Sequence, residues 1–182
     1  MGGTTLATIN FSRLSNGVKL LKILEQLEKY NIDIICGQEI DIFSAVKFFS
    51  QKYQVFVNWD VKSKSNIGIC TLIKKEFKVF EKIYSMNGRI IGIKLENMQI
   101  WNIYPPSGSE FRKERGTFFN EILVNYMSNW KDQTRFLIQA GDHNCTYRFQ
   151  DSMNNSQQHI EKNLVKHLRI QGLKDDFVKV QG

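Results

Sequence analysis

The chain has 182 residues, 42% of them hydrophobic, which is enough for one α/β domain over 1–182 with its own core and too short for two ordinary ones. A formal net charge of +7 fits a polyanionic partner or, at least as well, a lysine-rich solvated surface, and leaves the fold open. Three isolated cysteines, Cys36, Cys70 and Cys145, exclude a disulfide framework and a paired-cysteine metal site, and no apolar run approaches the ~20 residues of a membrane span. A soluble, intracellular chain in a reducing compartment is expected, with no membrane partner.

Taken in chain order, the apolar pattern predicts a strand over 4–10 and a turn at Ser15-Asn16-Gly17. A helix is expected over 18–30, with Leu20, Ile23, Leu24 and Leu27 on one face, then a strand over 33–39 and a short helix over 42–50. Strands follow over 55–59, 67–73, 77–84, 89–95 and 99–104, with tight turns at Asn87-Gly88 and Glu96-Asn97. That run reads as a largely antiparallel meander. Pro105-Pro106 halts it, Ser107 or Ser109 offers a cap, and an amphipathic helix to about residue 128 carries Phe111, Phe118, Phe119, Ile122, Leu123 and Tyr126, to pack on a sheet. After a strand over 136–141 comes a polar loop over 146–158. The final helix reaches about residue 171, with Ile160, Leu164, Val165 and Leu168 inward. The order of elements predicts an α/β (α+β) fold of two sheets flanked by helices, and no glycine-rich phosphate loop argues for a doubly wound nucleotide fold.

The polar residues at the strand ends carry the functional reading. Four apolar runs finish at Asn10, at Gln38-Glu39, at Tyr104 and, past Gly141, at Asp142 and Asn144. Strand ends are where an α/β protein keeps its chemistry, so four of them suggest one shared site. Glu39, Asp142 and Asn144 supply two carboxylates and an amide oxygen, hard donors suited to Mg²⁺ or Mn²⁺. Such a set supports phosphoester hydrolysis: the cation neutralises phosphate charge, a carboxylate orients water, and Asn10, Asn144 and Tyr104 hold phosphate oxygens. Acids at strand ends also serve as helix caps or solubilising groups, and spacing alone does not choose between these roles.

The motifs Ala7-Thr8-Ile9-Asn10, Cys36-Gly37-Gln38-Glu39, Asn102-Ile103-Tyr104-Pro105-Pro106-Ser107 and Gly141-Asp142-His143-Asn144 occur in this order, with lesser echoes at Asn66-Ile67-Gly68-Ile69 and Gly88-Arg89. Over residues 4–180 the chain thereby resembles the endonuclease/exonuclease/phosphatase superfamily, and within it the apurinic-endonuclease-like endonuclease domains of non-LTR (LINE-type) retrotransposons. The resemblance implies a deoxyribonuclease I-like two-sheet sandwich that nicks DNA with Mg²⁺. It implies that Glu39 binds metal, Asp142 handles the water, and Asn10, Tyr104 and Asn144 hold phosphate. In a whole element the nick would prime a reverse transcriptase encoded with it, which implies a nuclear location. Two alternatives remain: a small-molecule phosphoesterase of the same fold, acting on an inositol phosphate or lipid head group, and a degenerate copy that binds nucleic acid without cutting it.

Two departures from the family pattern carry expectations of their own. His143 replaces the family's Phe and, as a strand neighbour of Asp142, should point to the opposite face, as a packing or surface residue more than as a catalytic one. The family's later Asp and its Ser-Asp-His have no counterpart in Leu173-Lys174-Asp175-Asp176-Phe177 or the residues up to Gly182. A domain incomplete at its C-terminus is therefore expected, without the acid/base histidine, whose loss usually lowers a rate by about 10²- to 10⁴-fold. His159 and His167 read as part of a solvated helix face among Glu161, Lys162, Lys166 and Arg169. Lys62 and Lys64 in a polar loop, with Arg112, Lys113 and Arg115 at the start of the long helix, are the candidate nucleic-acid contacts, positioning DNA without reading its sequence. Lysines in such loops equally keep sheet edges soluble. Trp59 and Trp101 read as core or sheet-face residues.

Overall fold

The computed structural model describes residues 3–128 and 136–144. They belong to two units, Met1–Tyr104 with Gln133–Asp142, and Pro105–Asp132 with His143–Gly182. The first unit contains β1 (Leu6–Leu14), α1 (Gly17–Lys29), β2 (Ile34–Asp41), α2 (Ile42–Phe49), β3 (Tyr53–Asn58), β4 (Ile67–Lys74), β5 (Glu81–Tyr84), β6 (Ile90–Lys94), β7 (Met98–Ile103) and β8 (Phe136–Gly141). These strands form two four-stranded sheets, ordered β1-β2-β4-β3 and β5-β6-β7-β8. The predicted α+β two-sheet sandwich is therefore present.

The expected meander is interrupted. β3 and β4 pair antiparallel in the first sheet, whereas β5, β6 and β7 form an antiparallel ladder in the second. Alternation marks a strand but not the sheet it joins, so the crossing between β4 and β5 was invisible, and the strand expected over 77–84 is confined to Glu81–Tyr84. Each sheet also contains one parallel pair, β1 with β2 and β7 with β8. These two pairs place the site.

Alternating side chains divide the core in two. Ile35, Cys70, Leu72 and Tyr53 meet Leu20, Leu24 and Leu27 of α1 and Ala45 and Phe49 of α2. The opposite alternation sends Ile34, Cys36, Ile69 and Ile73 of the first sheet against Ile91, Ile93, Ile100 and Ala140 of the second. Helix α1 is bounded as its sequence suggests. The Asn16 side chain accepts from Lys19 N at 3.2 Å, satisfying an otherwise unpaired first-turn donor. At the other end Asn31, with φ of 51°, reverses the chain, and Ile32 N donates to Leu27 O while Asn31 N donates to Glu28 O.

In the second unit the segment expected as one amphipathic helix is a succession of turns: 3-10 over Ser109–Phe111, α3 (Arg112–Thr117), π over Phe118–Ile122 and α4 (Leu123–Ser128). It starts from Gly108, with no side-chain cap, so Ser107 is not the cap residue. The π turn widens the repeat, so the buried face reads Arg115, Phe119, Leu123 and Met127, with Phe118 beside it. Phe111 is exposed, and Ile122 and Tyr126 are only half-buried, against the 3.6-residue expectation. Among the described residues no helix is long and apolar enough to cross a membrane. Cys145, the loop over 146–158, the final helix with His159 and His167, and the C-terminal residues lie outside the described residues.

Candidate active site

In the sandwich of the first unit, the layer between the sheets becomes polar as it approaches the ends of β1, β2, β7 and β8. Gln38, on the same alternation as Ile34 and Cys36, is 1% exposed, and its Nε2 donates to Asn102 Oδ1 at 2.8 Å and to Cys36 O at 2.9 Å. Asn102 is fully buried and donates to the carbonyls of Gly37 and Cys70 and to the Thr71 hydroxyl. Thr8 on β1 donates to Cys36 O and Gln38 Oε1. A buried polar group without partners costs about 1–3 kcal/mol. Here the amides satisfy one another, and the ladder cross-links the two sheets beneath the strand ends.

Above that ladder four side chains converge. Asn10 Nδ2 donates to Asp142 Oδ2 at 3.1 Å and to Glu39 Oε1 at 3.4 Å, and the Tyr104 hydroxyl makes a short hydrogen bond to the same Glu39 oxygen. Local backbone features aim each group. The registers of β1–β2 and β2–β4 both shift around Gln38 and Glu39, and Glu39 has a φ of 51°. The bulge thus turns a side chain that strict alternation would send toward the helices into the site. Non-glycine residues in the left-handed region cost on the order of 1–3 kcal/mol and collect at functional sites. Past Asn10, β1 is irregular too: Ser12 and Arg13 have φ of 49° and 61°, and Asn10 Oδ1 accepts from Ser12 N at 2.8 Å, which orients the amide.

Gly141 is a requirement of the Gly-Asp pair. Its φ is +126°, and a Cβ there would lie 2.1 Å from Ile103 O, so only glycine lets β8 close on β7 and deliver Asp142. Tyr104 is held from behind by Arg89. The Arg89 guanidinium donates to Tyr104 O at 3.0 Å and stacks 5.5 Å from its ring centroid, while Tyr104 N donates to Arg89 O. Burial pulls the Arg89 pKa below its ordinary value, partly offset by Tyr104 and Asp60.

Of the predicted site residues, Asn10, Glu39, Tyr104 and Asp142 form one hydrogen-bonded cluster in the first unit. Asn144 belongs to the second unit, where it donates to Pro105 O at 2.8 Å with φ of 52°. His143, also in the second unit, stacks on Phe119 with rings 8° from parallel, the packing one of the two structural roles expected of it. Lys62, Lys64 and Arg112 are exposed. Arg115 departs from its expected role as a nucleic-acid contact: it is 2% exposed and donates to Pro106 O at 3.0 Å and Gly108 O at 2.6 Å, tying down its own loop. Trp101 is fully buried, as expected.

Sequence reading passed over Gln38, Asn102 and Thr8 as functional supports. The signal was available for Asn102, which stands two residues from Ile100 and from Tyr104 and so shares their inward face. The donor set fits a small hard cation: two carboxylates from separate strands lie within hydrogen-bond reach of one amide nitrogen. Among the described residues no three His, Cys, Asp or Glu side chains cluster to hold a metal ion.

The fold is a deoxyribonuclease I-like α+β sandwich of two sheets, shared with several solved structures. The endonuclease domain of TRAS1, a telomere-specific non-LTR retrotransposon, matches with a TM-score of 0.63 and 14% identity, over 96% of this chain and 75% of that one. A humanized D. rerio TDP2 carrying 14 mutations matches at 0.61 with 15% identity, over 79% of this chain and 63% of that one. The human Nocturnin catalytic domain, with a bound sulfate anion, matches at 0.58 with 17% identity, over 77% of this chain and 65% of that one. The chain thus spans just under two thirds of the TDP2 and Nocturnin chains. No family model and no curated protein matches it.

Proposed function

We propose that the chain is a metal-dependent DNA endonuclease domain of the retrotransposon type, which hydrolyses one phosphodiester bond to leave a nick. The observation that carries this reading is the convergence of Asn10, Glu39, Tyr104 and Asp142 from four strand ends into one hydrogen-bonded cluster. Fold likeness to an endonuclease domain of a non-LTR retrotransposon supports it.

Glu39 would hold a Mg²⁺ ion. Bound there, the ion supplies Lewis-acid stabilisation of the charge that develops on phosphate. Tyr104 and Asn10 hold the Glu39 carboxylate in orientation through their hydrogen bonds. Asp142 takes the attacking water as a hydrogen-bond acceptor and draws off its proton. The Asn10 amide, which already faces both carboxylates, and the Asn144 amide would donate to phosphate oxygens. Lys62, Lys64 and Arg112 would meet the DNA backbone, which makes binding salt-sensitive. In the element that carries it, the nick would serve a reverse transcriptase in the nucleus.

Supercoiled plasmid incubated with the purified chain and Mg²⁺ tests the reading. Nicking that EDTA abolishes and Glu39→Ala removes is the expected result. Salt-sensitive binding without nicking would leave a DNA-binding module, and absence of both would overturn the proposal.

A further inference from the structure

Two connections of the first unit, each joined at one end to a strand of the site, present exposed apolar side chains: loop 59–66 between β3 and β4, and turn 85–89 between β5 and β6. Met86 is 91% exposed and Val61 71%, the highest values among the exposed large hydrophobic residues described. An isolated exposed apolar residue means little. These two stand on a braced backbone. Gly88, with φ of +71°, lies so close to the other loop that a Cβ would fall 2.2 Å from the Trp59 carbonyl carbon and 2.3 Å from Asp60 N. The Ser85 hydroxyl accepts from Arg89 N at 3.0 Å and Ile90 N at 2.9 Å, and buried Asn58 donates to Ser85 O and Ile90 O, each at 2.9 Å.

Loop 59–66 is tied down in the same way. Asp60 Oδ1 accepts from Lys62 N at 2.9 Å, and Ile42 N donates to Asn66 O at 3.1 Å, just past the strand that carries Glu39. Turn 85–89 reaches the site through Arg89, which bonds and stacks on Tyr104. Exposed Lys62 follows Val61 directly, and exposed Lys64 stands just beyond Ser63.

Held apolar tips flanked by cations have no work to do on a small soluble phosphoester. They suit duplex DNA, whose phosphates take the lysines and whose base steps admit an apolar wedge. We propose that Val61 and Met86 form such a wedge, opening a base step near the phosphate held at the site and so selecting duplex that deforms easily. The proposal rests on the nuclease reading for its substrate. The rival surface for an apolar tip beside lysines is an anionic membrane, and the test separates the two.

The full chain is titrated into duplexes carrying 2-aminopurine at successive steps, alongside a Val61→Ser/Met86→Ser double variant and phosphatidylserine vesicles. The wild type should raise 2-aminopurine fluorescence at one step. The variant should keep duplex affinity within about threefold, lose the fluorescence rise, and nick paired duplex about tenfold more slowly, with recovery on a duplex mismatched at that step. A fluorescence rise confined to the wild type without nicking by either protein would sustain the wedge and overturn the nuclease reading. No rise with the wild type, an equal rise with the variant, or vesicle binding that depends on the two side chains while duplex signals do not, would overturn the wedge.

Discussion

The inter-sheet layer of the first unit has two regions that share one geometry and differ in chemistry. In its middle, Ile34, Cys36, Ile69, Ile73, Ile91, Ile93 and Ile100 are fully buried and apolar. Toward the strand ends the same alternation brings in Gln38, Asn102 and Thr71 and then Asn10 and Tyr104, while the bulge turns Glu39 in and Asp142 follows the end of β8. The candidate site is therefore a continuation of the core, built by the same period-2 projection after the apolar residues run out and completed by the bulge at Glu39. It inherits the rigidity of the sheets, which suits groups that must be held in place rather than recruited.

Substitutions in the two regions should separate chemistry from stability. Asp142→Ala should lower plasmid nicking by about 10²- to 10⁴-fold and leave the melting temperature within a few degrees of wild type. A parallel collapse of stability would erase the distinction between the regions. Ile100→Ala, in the apolar part, should destabilise by about 2–5 kcal/mol in urea titration, since it leaves a cavity between the sheets, while the folded fraction still binds DNA.

The polar ladder lies between these extremes. Asn102→Leu takes away the acceptor of Gln38 and the donor to Cys70 O, and should cost about 1–3 kcal/mol with a concurrent loss of nicking. If activity survives unchanged, the ladder supports the sheets alone. The smallest effect is expected at the opposite end of the sheet from the site. Burial pushes the Asp33 pKa up, but the bonds from Lys74 and from Thr5 outweigh it and hold the carboxyl below its ordinary 3.8. The folded value is depressed, so this stabilisation is full above the unfolded pKa and is lost as pH falls through the folded one. Asp33→Asn should cost on the order of 1 kcal/mol at neutral pH and progressively less as pH drops below about 4, measured by urea titration across that window.

Much of the fold was legible in the residues because local signals agreed with one another. α1 runs close to its expected bounds, since Asn16 caps it and its leucines share one face. β8 has the bounds expected for the strand before Gly141-Asp142. Legibility failed where a residue's direction depends on a partner. The 3.6-residue repeat missed the π turn over Phe118–Ile122, and so predicted Tyr126 where Met127 is buried. Arg115, read as a surface cation, bonds two loop carbonyls of its own unit.

The sequence by itself determined the strand and helix content, the polar strand ends and the identities of Asn10, Glu39, Tyr104 and Asp142, because periodicity and motif order are local properties. Tertiary structure decided which sheet each strand joins and that β1 with β2 and β7 with β8 run parallel. It also decided that a bulge at Glu39 turns one carboxylate toward the amide that the other already meets. Pairing between strands far apart in the chain is settled by burial and hydrogen-bond satisfaction across the whole sandwich, and no local window of residues contains those partners.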